Sequence, residues 1–297
     1  MELTEPRPKK HCKLPTNLPL PVIYRKDGNL KKFSAHFNGF SVILDNLDDM
    51  KTIVSMGYFG KANFSRSYPQ FTQNQPKIIR QRQFVTRKQF TGNQPNKVIT
   101  VPDSDSENDD YFTNLQPKYE IDCSGLSETV WLSLEEAFFL ASAVKCLDVS
   151  CSDGKLLDCD QLWALFQETD SFFVRNYVVY FYYRAKNWVV KPGIKFGGDF
   201  MLYKQGPPFY HSSYIIIIEV IDSINGERNS ILTNRCMDNR SVLGLNRLCE
   251  TAGKELVICR VKWPNNQISY ENFSNIEIQE ILVKRWIASH HQEQEVI

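Results

Sequence analysis

The sequence predicts an α+β protein in which a small N-terminal element and a helical subdomain precede a mixed-sheet domain. Two patterns support this fold class. Apolar residues recur at helical spacing after capping residues between residues 123 and 187, whereas short β-branched runs bounded by Gly and Pro follow Trp188. A chain of 297 residues is long enough for about two compact units. We divide it into an N-terminal folded element, a linker, a helical subdomain and a sheet domain, at residues 1–62, 63–122, 123–187 and 188–297.

The N-terminal element is predicted from FNGFSVILDNLDDMKTIVSMGYFGK, in which apolar residues first alternate and then recur at helical spacing. Residues 63–122 are rich in Gln, Asn, Ser and Pro and follow neither period, which predicts a disordered linker. Charge is uneven along this region. Residues 1–102 hold 17 basic and 6 acidic side chains, whereas residues 103–122 hold one basic and seven acidic ones. The linker is therefore basic first and acidic afterwards.

Three helices are predicted between residues 123 and 187. Ser133 and Glu136 form a capping-box pattern before an apolar run, which predicts a helix over residues 134–147. Asp158 precedes DQLWALFQ-type helical spacing, and Ser171 opens the aromatic-rich segment SFFVRNYVVYFYYRAK. An aromatic stripe at this spacing is typical of a helix face packed in a core.

The mixed sheet is predicted from segments rich in β-branched and aromatic residues, namely WVVK, PGIKFGGDFMLY, SYIIIIEVI, ELVICRVKW and IEIQEILVKRW. One helix, residues 241–252, interrupts them. Ser241 is its expected N-terminal residue, and Gly253 stands where a left-handed residue commonly ends a helix.

Composition limits the possible functions. The formal net charge is only +1, so attraction to a polyanion has to be argued locally. The longest branched apolar run, residues 215–218, is stopped by Glu219, which predicts no membrane span. The N-terminus lacks the apolar stretch of a secretory signal, so we expect an intracellular protein with reduced cysteines. Metal binding is disfavoured because the densest cysteine group, Cys146, Cys151 and Cys159, lacks a C-x-x-C pair.

The candidate chemistry lies where two predicted strands meet. Tyr203 ends one strand and His211 precedes the next, with Gly206, Pro207 and Pro208 between them. Gly permits positive φ and Pro presets its own φ, so a hairpin is expected to bring Tyr203 and His211 to one edge of the sheet. Spacing alone favours the plainer interpretation, in which Tyr203 is an ordinary strand residue and His211 a turn residue.

The string KFGGDFMLYKQGPPFYHSSY resembles the active-site region of the tRNA-splicing endonuclease (tRNA-intron lyase) family, in particular its eukaryotic catalytic subunit that cleaves the 5′ splice site. Further similar segments are MGYFGKANFSRSYP, SLEEAFFLA, YRAKNWVVKPGIKFG, GKELVICRV and EILVKRWIAS. They cover residues 40–70 and about 125–290. The resemblance implies that residues 188–297 form a tRNA-intron-lyase domain of restriction-endonuclease-like fold. The linker does not take part in the resemblance.

The resemblance also implies a metal-free and cofactor-free cleavage of RNA. In the family, a Tyr takes the proton of a ribose 2′-OH, a His protonates the 5′-oxygen leaving group, and a Lys stabilises the charged phosphorane. The matching positions are Tyr203, His211 and Lys254. A phenol of pKa about 10 is a weak base at neutral pH, so a nearby cation such as Lys254 is needed. An imidazole of pKa about 6.5 is suited to carry the proton to the leaving oxygen.

The same resemblance implies further partners. Arg247 and Trp286 match an Arg and a Trp that clamp a splice-site base by cation–π stacking at the site of the partner catalytic subunit. The implied partners are precursor tRNA, a second catalytic subunit and structural subunits in the nucleus. From the residues alone, Arg247 is an ordinary solvated helix residue and Trp286 a core anchor.

Alternatives stay open. One alternative is that the chain is a non-catalytic scaffold or RNA-binding subunit of the same kind of complex. The presence of Tyr203, His211 and Lys254 argues against this alternative. A metal-dependent restriction-type nuclease is disfavoured because Pro102-Asp103 lies in the linker and Asp153-Gly-Lys155 on a turn. Residues 98–107 resemble a short peptide that adds a strand to a partner's sheet.

Overall fold

Two β-sheets organise the computed structural model, which describes residues 6–9, 19–63, 128–233, 235–265 and 268–285. Trp286, residues 98–107, the Pro102-Asp103 pair and nearly all of the predicted linker lie outside the described residues. Within them the chain forms five α-helices and eleven strands. The predicted α+β class is confirmed.

The first sheet has six strands in the order β3-β4-β2-β1-β5-β6, and only β1 and β5 pair in parallel. Its strands are β1 (Phe33–Phe37), β2 (Val42–Leu44), β3 (Lys61–Ala62), β4 (Val130–Leu132), β5 (Leu147–Ser150) and β6 (Leu156–Leu157). Helix α1 (Leu47–Ser55) follows β2. The predicted N-terminal element and the predicted helical subdomain thus contribute strands to the same sheet. The division into four segments stays a prediction.

Local capping signals explain where the next helices begin. Helix α2 (Leu134–Phe138) has the predicted capping box of Ser133 and Glu136. It is shorter than predicted because the backbone continues as a π-helix over Phe139–Ala143. Helix α3 (Cys159–Thr169) follows Asp158, whose side chain accepts a hydrogen bond from the Gln161 N–H, as a predicted cap does.

Two predicted helix starts are wrong. Helix α4 (Phe173–Ala185) does not begin at Ser171, because the Asp170 carboxylate accepts the Phe172 N–H and holds a turn before the helix. Helix α5 (Asn239–Thr251) begins before Ser241, because Asp238 is the cap and accepts the Ser241 N–H. At its other end Gly253 has the expected left-handed conformation, with φ of 65°.

The second sheet has five strands in the order β11-β10-β9-β8-β7 and is mixed, as predicted. Only β9 and β10 are parallel, and α5 lies between them in the sequence. The strands are β7 (Val189–Pro192), β8 (Phe200–Tyr203), β9 (Tyr214–Asp222), β10 (Glu255–Trp263) and β11 (Ile278–Val283). Each corresponds to one of the five predicted segments.

An aromatic core joins the two sheets. Helix α4 buries the rings of Tyr177, Tyr180 and Tyr183, which confirms that its aromatic stripe packs in the core. The ring of Phe138 meets that of Tyr177 edge to face, with centroids 4.9 Å apart. One continuous apolar cluster includes side chains of both sheets, such as Phe33 of β1 and Ile216 of β9. The sheets therefore share one core.

A buried ion pair links three parts of the chain. One oxygen of the Glu136 carboxylate accepts the Gly60 N–H at 3.0 Å, and the other accepts the Lys191 ammonium at 2.9 Å. Lys191 also donates to the Gly60 carbonyl at 2.9 Å. The side chains of Lys191 and Glu136 are only 14% and 4% exposed. Burial lowers the pKa of Lys191, and the Glu136 charge opposes this.

We predict that Glu136→Ala lowers the free energy of unfolding by about 3–5 kcal/mol, because it leaves a buried ammonium without its counter-charge. The control is Glu168→Ala, at an exposed position on α3, which should change it by less than about 0.5 kcal/mol. Chemical denaturation followed by circular dichroism measures both. Equal effects of the two substitutions would show that the ion pair has no special importance.

Candidate active site

Strand directions bring the candidate residues to one end of the second sheet. Tyr203 is the last residue of β8, and Tyr214 is the first residue of β9, which runs antiparallel to it. Strand β10 is parallel to β9, with Glu255 opposite Tyr214. Lys254 directly precedes Glu255 and therefore lies at the same sheet end as Tyr203. The predicted antiparallel pairing of the strands around Gly206 is confirmed.

Residues 204–213, which we call the catalytic loop, connect Tyr203 to β9. Gly206 has a φ of 125°, and a Cβ built on it would lie 2.3 Å from the ring of Tyr58. The N–H groups of Phe209 and Tyr210 donate to the Gly206 carbonyl, at 3.2 and 3.1 Å. The rings of Tyr58 and Phe209 meet edge to face. Only glycine fits the loop this closely against Tyr58, which belongs to the MGYFGK segment noted in the sequence.

Tyr203 lies partly buried among apolar side chains at this sheet end. Burial raises the pKa of its phenol above the usual value, and a hydrogen bond with the Ser212 hydroxyl partly opposes the rise. Ser212 itself is buried and neighbours His211 in the catalytic loop. The phenol is therefore protonated at neutral pH and needs a nearby cation to act as a base.

Lys254 supplies a cation whose position is fixed by the end of α5. Its backbone N–H donates to the Cys249 carbonyl, and its ammonium donates to the Ala252 carbonyl at 3.2 Å. The ammonium lies 4.8 Å from the centroid of the Phe196 ring. Burial lowers the pKa of Lys254, and the Cys249 thiol opposes this. The ammonium retains donors for an anionic ligand, because it has three N–H groups.

His211 is exposed in the catalytic loop. Its backbone N–H donates to the carbonyl of Arg7 at 3.1 Å. The sequence pattern predicts no function for Arg7. Residues 6–9 include two prolines and follow neither the helical nor the strand period. The only signal there was the basic run PRPKK.

The structure places one of the two predicted clamp residues. Arg247 is exposed on α5, two residues before Cys249. Trp286 lies outside the described residues, three positions after the end of β11. The predicted contact of these two side chains with an RNA base therefore stays a prediction.

Three further observations concern the Asp153–Lys155 turn, metal ligands and membrane-spanning helices. Asp153, Gly154 and Lys155 form a turn between β5 and β6 in the first sheet, as expected. Among the described residues, no three His, Cys, Asp or Glu side chains are grouped as metal ligands would be. Within the same ranges, no helix has the length and apolar character needed to cross a membrane.

Comparison with known proteins connects this site with RNA processing. Residues 173–270 match the family described as tRNA intron endonuclease, catalytic C-terminal domain. The chain is 39% identical to tRNA-splicing endonuclease subunit Sen2 of Gallus gallus over 173 residues, which are 57% of this chain and 36% of the relative. It is 38% identical to the Mus musculus Sen2 subunit over 167 residues, 54% of this chain and 35% of the relative. It is 32% identical to SEN2 of Saccharomyces cerevisiae over 179 residues, 56% of this chain and 43% of the relative. The alignments thus span well under half of each relative's length.

We predict that the pKa of Tyr203 is higher than that of an ordinary tyrosine, and that Ser212→Ala raises it further because the phenolate loses a hydrogen-bond donor. NMR titration of protein labelled at the tyrosine Cζ carbon measures this, and Tyr203→Phe assigns the signal. Ser223→Ala, at an exposed serine just past the far end of β9, is the control and should leave the midpoint unchanged. A fall in the Tyr203 pKa on Ser212→Ala would contradict the assigned hydrogen bond.

Proposed function

Because residues 173–270 match the catalytic domain of the tRNA intron endonuclease family, we propose that this chain is a catalytic subunit of a tRNA-splicing endonuclease that cleaves intron-containing precursor tRNA. The observation that supports this best is the arrangement of Tyr203, the catalytic loop with His211, and Lys254 at one sheet end. One residue comes from the end of β8, one from a loop and one from the turn before β10. A substrate phosphodiester at this sheet end meets all three.

The proposed reaction needs only groups of the RNA and these side chains. Tyr203, in its phenolate form after its own proton has passed to solvent, removes the proton of the ribose 2′-OH, and the 2′-oxygen attacks the adjacent phosphorus. The bond from phosphorus to the 5′-oxygen breaks, and His211 gives its proton to that oxygen. The products are a 2′,3′-cyclic phosphate and a 5′-OH end. Each proton removed or added has a named donor and acceptor.

Lys254 has two tasks in this proposal. Its positive charge favours the phenolate form of Tyr203, whose pKa burial otherwise raises. It also donates to a nonbridging phosphate oxygen as negative charge develops there, and removing one such donor typically costs about 3–4 kcal/mol. The pKa of Lys254, lowered by burial in the free protein, rises again when the phosphate is bound, because an adjacent negative charge favours the ammonium.

The remaining parts of the proposal concern where and with which partners the chain acts. The intramolecular 2′-OH is the nucleophile, so no metal-bound water is required, and we propose a metal-independent and cofactor-free cut. The resemblance of residues 195–214 supports the 5′ splice site as the position of this cut. A second catalytic subunit, structural subunits and a nuclear location complete the proposal.

We further propose that Arg247 and Trp286 act on a base at the partner's cleavage site. The exposed position of Arg247 on α5 supports this, since its guanidinium is accessible to a ligand. An Arg that stacks on an RNA base contributes by cation–π attraction and tolerates any base. This tolerance suits an enzyme that recognises tRNA by shape.

The main test uses the purified complex, an intron-containing precursor tRNA and excess chelator, with the cut ends mapped. We expect cleavage to persist with wild type, and His211→Ala to slow one of the two cuts by at least about 100-fold, because general acids contribute 10²- to 10⁴-fold. RNA affinity should stay unchanged, since the proton transfer occurs only in the transition state. The control is His36→Gln, in β1 of the first sheet.

Four outcomes would count against this function. Equal loss of both cuts in His211→Ala, or loss of binding, argues against a site-specific catalytic residue. Normal cleavage by His211→Ala supports the scaffold interpretation instead. Inhibition by chelator that added metal reverses, with tRNA folding verified, would overturn the metal-free mechanism.

The clamp is tested by Arg247→Ala and Trp286→Ala. We expect each to slow the partner's cut about tenfold or more, because base stacking contributes about 1–3 kcal/mol, while the cut made at Tyr203 and the melting temperature stay nearly unchanged. Arg240→Ala, at another exposed arginine of α5, is the matched control. If Trp286 is a core anchor, its removal instead costs about 3–5 kcal/mol of stability and depresses both cuts.

A further inference from the structure

A short N-terminal segment, residues 6–9, pairs with the catalytic loop. The Lys9 N–H donates to the Phe209 carbonyl at 2.7 Å, and the Arg7 carbonyl accepts the His211 N–H at 3.1 Å. Between these two bonds Pro8 lies opposite Tyr210 in an antiparallel bridge. The Lys9 ammonium also donates to the Pro207 carbonyl at 2.6 Å. The segment therefore acts as an added strand along the loop that carries His211.

The proline positions suit this pairing. Consecutive residues of an antiparallel strand alternate between those that hydrogen-bond to the partner strand and those that face away. Arg7 and Lys9 form the bonds to the loop, so Pro8 lies at the position whose missing N–H costs nothing. Pro also restricts φ to about −65°, which limits the conformations that the segment loses when it docks.

The side chain of Arg7 extends towards the turn that precedes Lys254. Its Nη1 atom lies 3.7 Å from the position that a Cβ would take on Gly253, the residue before Lys254. Arg7 is itself exposed. Its backbone thus contacts the residue proposed as the general acid, while its guanidinium lies beside the turn that positions the proposed phosphate-stabilising lysine.

Arg7 and Lys254 carry positive charge at this end of the sheet. Within the parts of the chain that the structure describes, no carboxylate forms an ion pair with Arg7, His211 or Lys254. Elsewhere in the same parts, buried Arg175 and Lys191 do pair with acids. Cations that converge without a counter-charge favour an anionic ligand.

We propose that Arg7 is a substrate-binding residue of this site, whose guanidinium contacts a phosphate of the RNA strand next to the scissile bond. Arginine suits this task because its planar fork matches two phosphate oxygens at once. The pairing of residues 6–9 with the catalytic loop also holds the backbone at His211 in place. This inference rests on the proposed function, since it names a further residue that contacts the same RNA substrate.

The test compares Arg7→Ala, Arg7→Lys and wild type in the full complex. Single-turnover cleavage gives the rate, and a precursor tRNA with 2′-deoxy nucleotides at both splice sites gives the affinity without cleavage. We expect Arg7→Ala to lower the affinity about tenfold, as loss of one charged hydrogen bond does. The slope of log K against log salt should become shallower by a little less than about one, because one phosphate contact is removed. Arg7→Lys should retain part of the affinity.

The matched control is Arg25→Ala, at an exposed arginine in the turn of residues 25–28, which should behave as wild type does. Wild-type affinity, salt slope and cleavage in Arg7→Ala would overturn the proposal, as would a lower melting temperature with both cuts reduced equally. Failure of the proposed function is distinguishable from these outcomes. In that case the wild-type complex leaves the RNA intact, whereas the salt slope of binding still reports whether Arg7 contacts a phosphate.

Discussion

The parallel pairing of β9 with β10 runs from Tyr214 opposite Glu255 to Asp222 opposite Trp263. Residues 215–218 on β9 are fully or almost fully buried. A shift of this pairing by one residue would turn every side chain of the strand to the other face of the sheet. A parallel pair also requires a crossover connection, and α5 lies within it. The end of α5 therefore has to reach the start of β10 at the same sheet end where β8 finishes. The position of Lys254 at the same sheet end as Tyr203 follows from this pairing.

Buried charges keep the surrounding elements in register with these strands. Asp199, just before β8, accepts the Ile218 N–H of β9 at 2.8 Å and pairs with Arg175 of α4 and with Arg235. Burial lowers the pKa of the Arg175 guanidinium, and the Asp199 charge opposes this most strongly. Because an unpaired charge in a core is costly, such groups tolerate few alternative positions. The ion pair of Glu136 and Lys191 likewise restricts the position of α2 relative to β7.

The apolar surroundings of the site disfavour the charged forms of Tyr203 and Lys254. Phe196, Met201 and Ile215 belong to a small cluster that Tyr203 also contacts. Burial raises the pKa of Tyr203 and lowers that of Lys254, so both shifts favour the uncharged form. Binding of a phosphate, as in the proposed function, would oppose the shift of Lys254, because an adjacent negative charge favours the ammonium.

Short-range signals in the sequence determined much of this protein by themselves. The caps at Ser133 and Asp158 and the left-handed Gly253 depend on hydrogen bonds between residues a few positions apart, so they were readable without a fold. Ser171 and Ser241 are not helix starts, because Asp170 accepts the Phe172 N–H in a turn ahead of one helix and Asp238 caps the other. The resemblance, not the spacing, identified Tyr203, His211 and Lys254 as candidates.

Only the tertiary structure decided what lies far apart in the sequence. It placed β1 beside β5, and it brought residues 6–9 to the catalytic loop nearly two hundred positions later, with the Lys9 ammonium on the Pro207 carbonyl at a separation of 198 residues. Such contacts leave no periodic pattern in the sequence. They form because two distant segments bury apolar side chains together and pair backbone groups that would otherwise lack hydrogen bonds. The same holds for the approach of the Arg7 guanidinium to Gly253, since a proline-rich basic run alone does not specify the surface on which it docks.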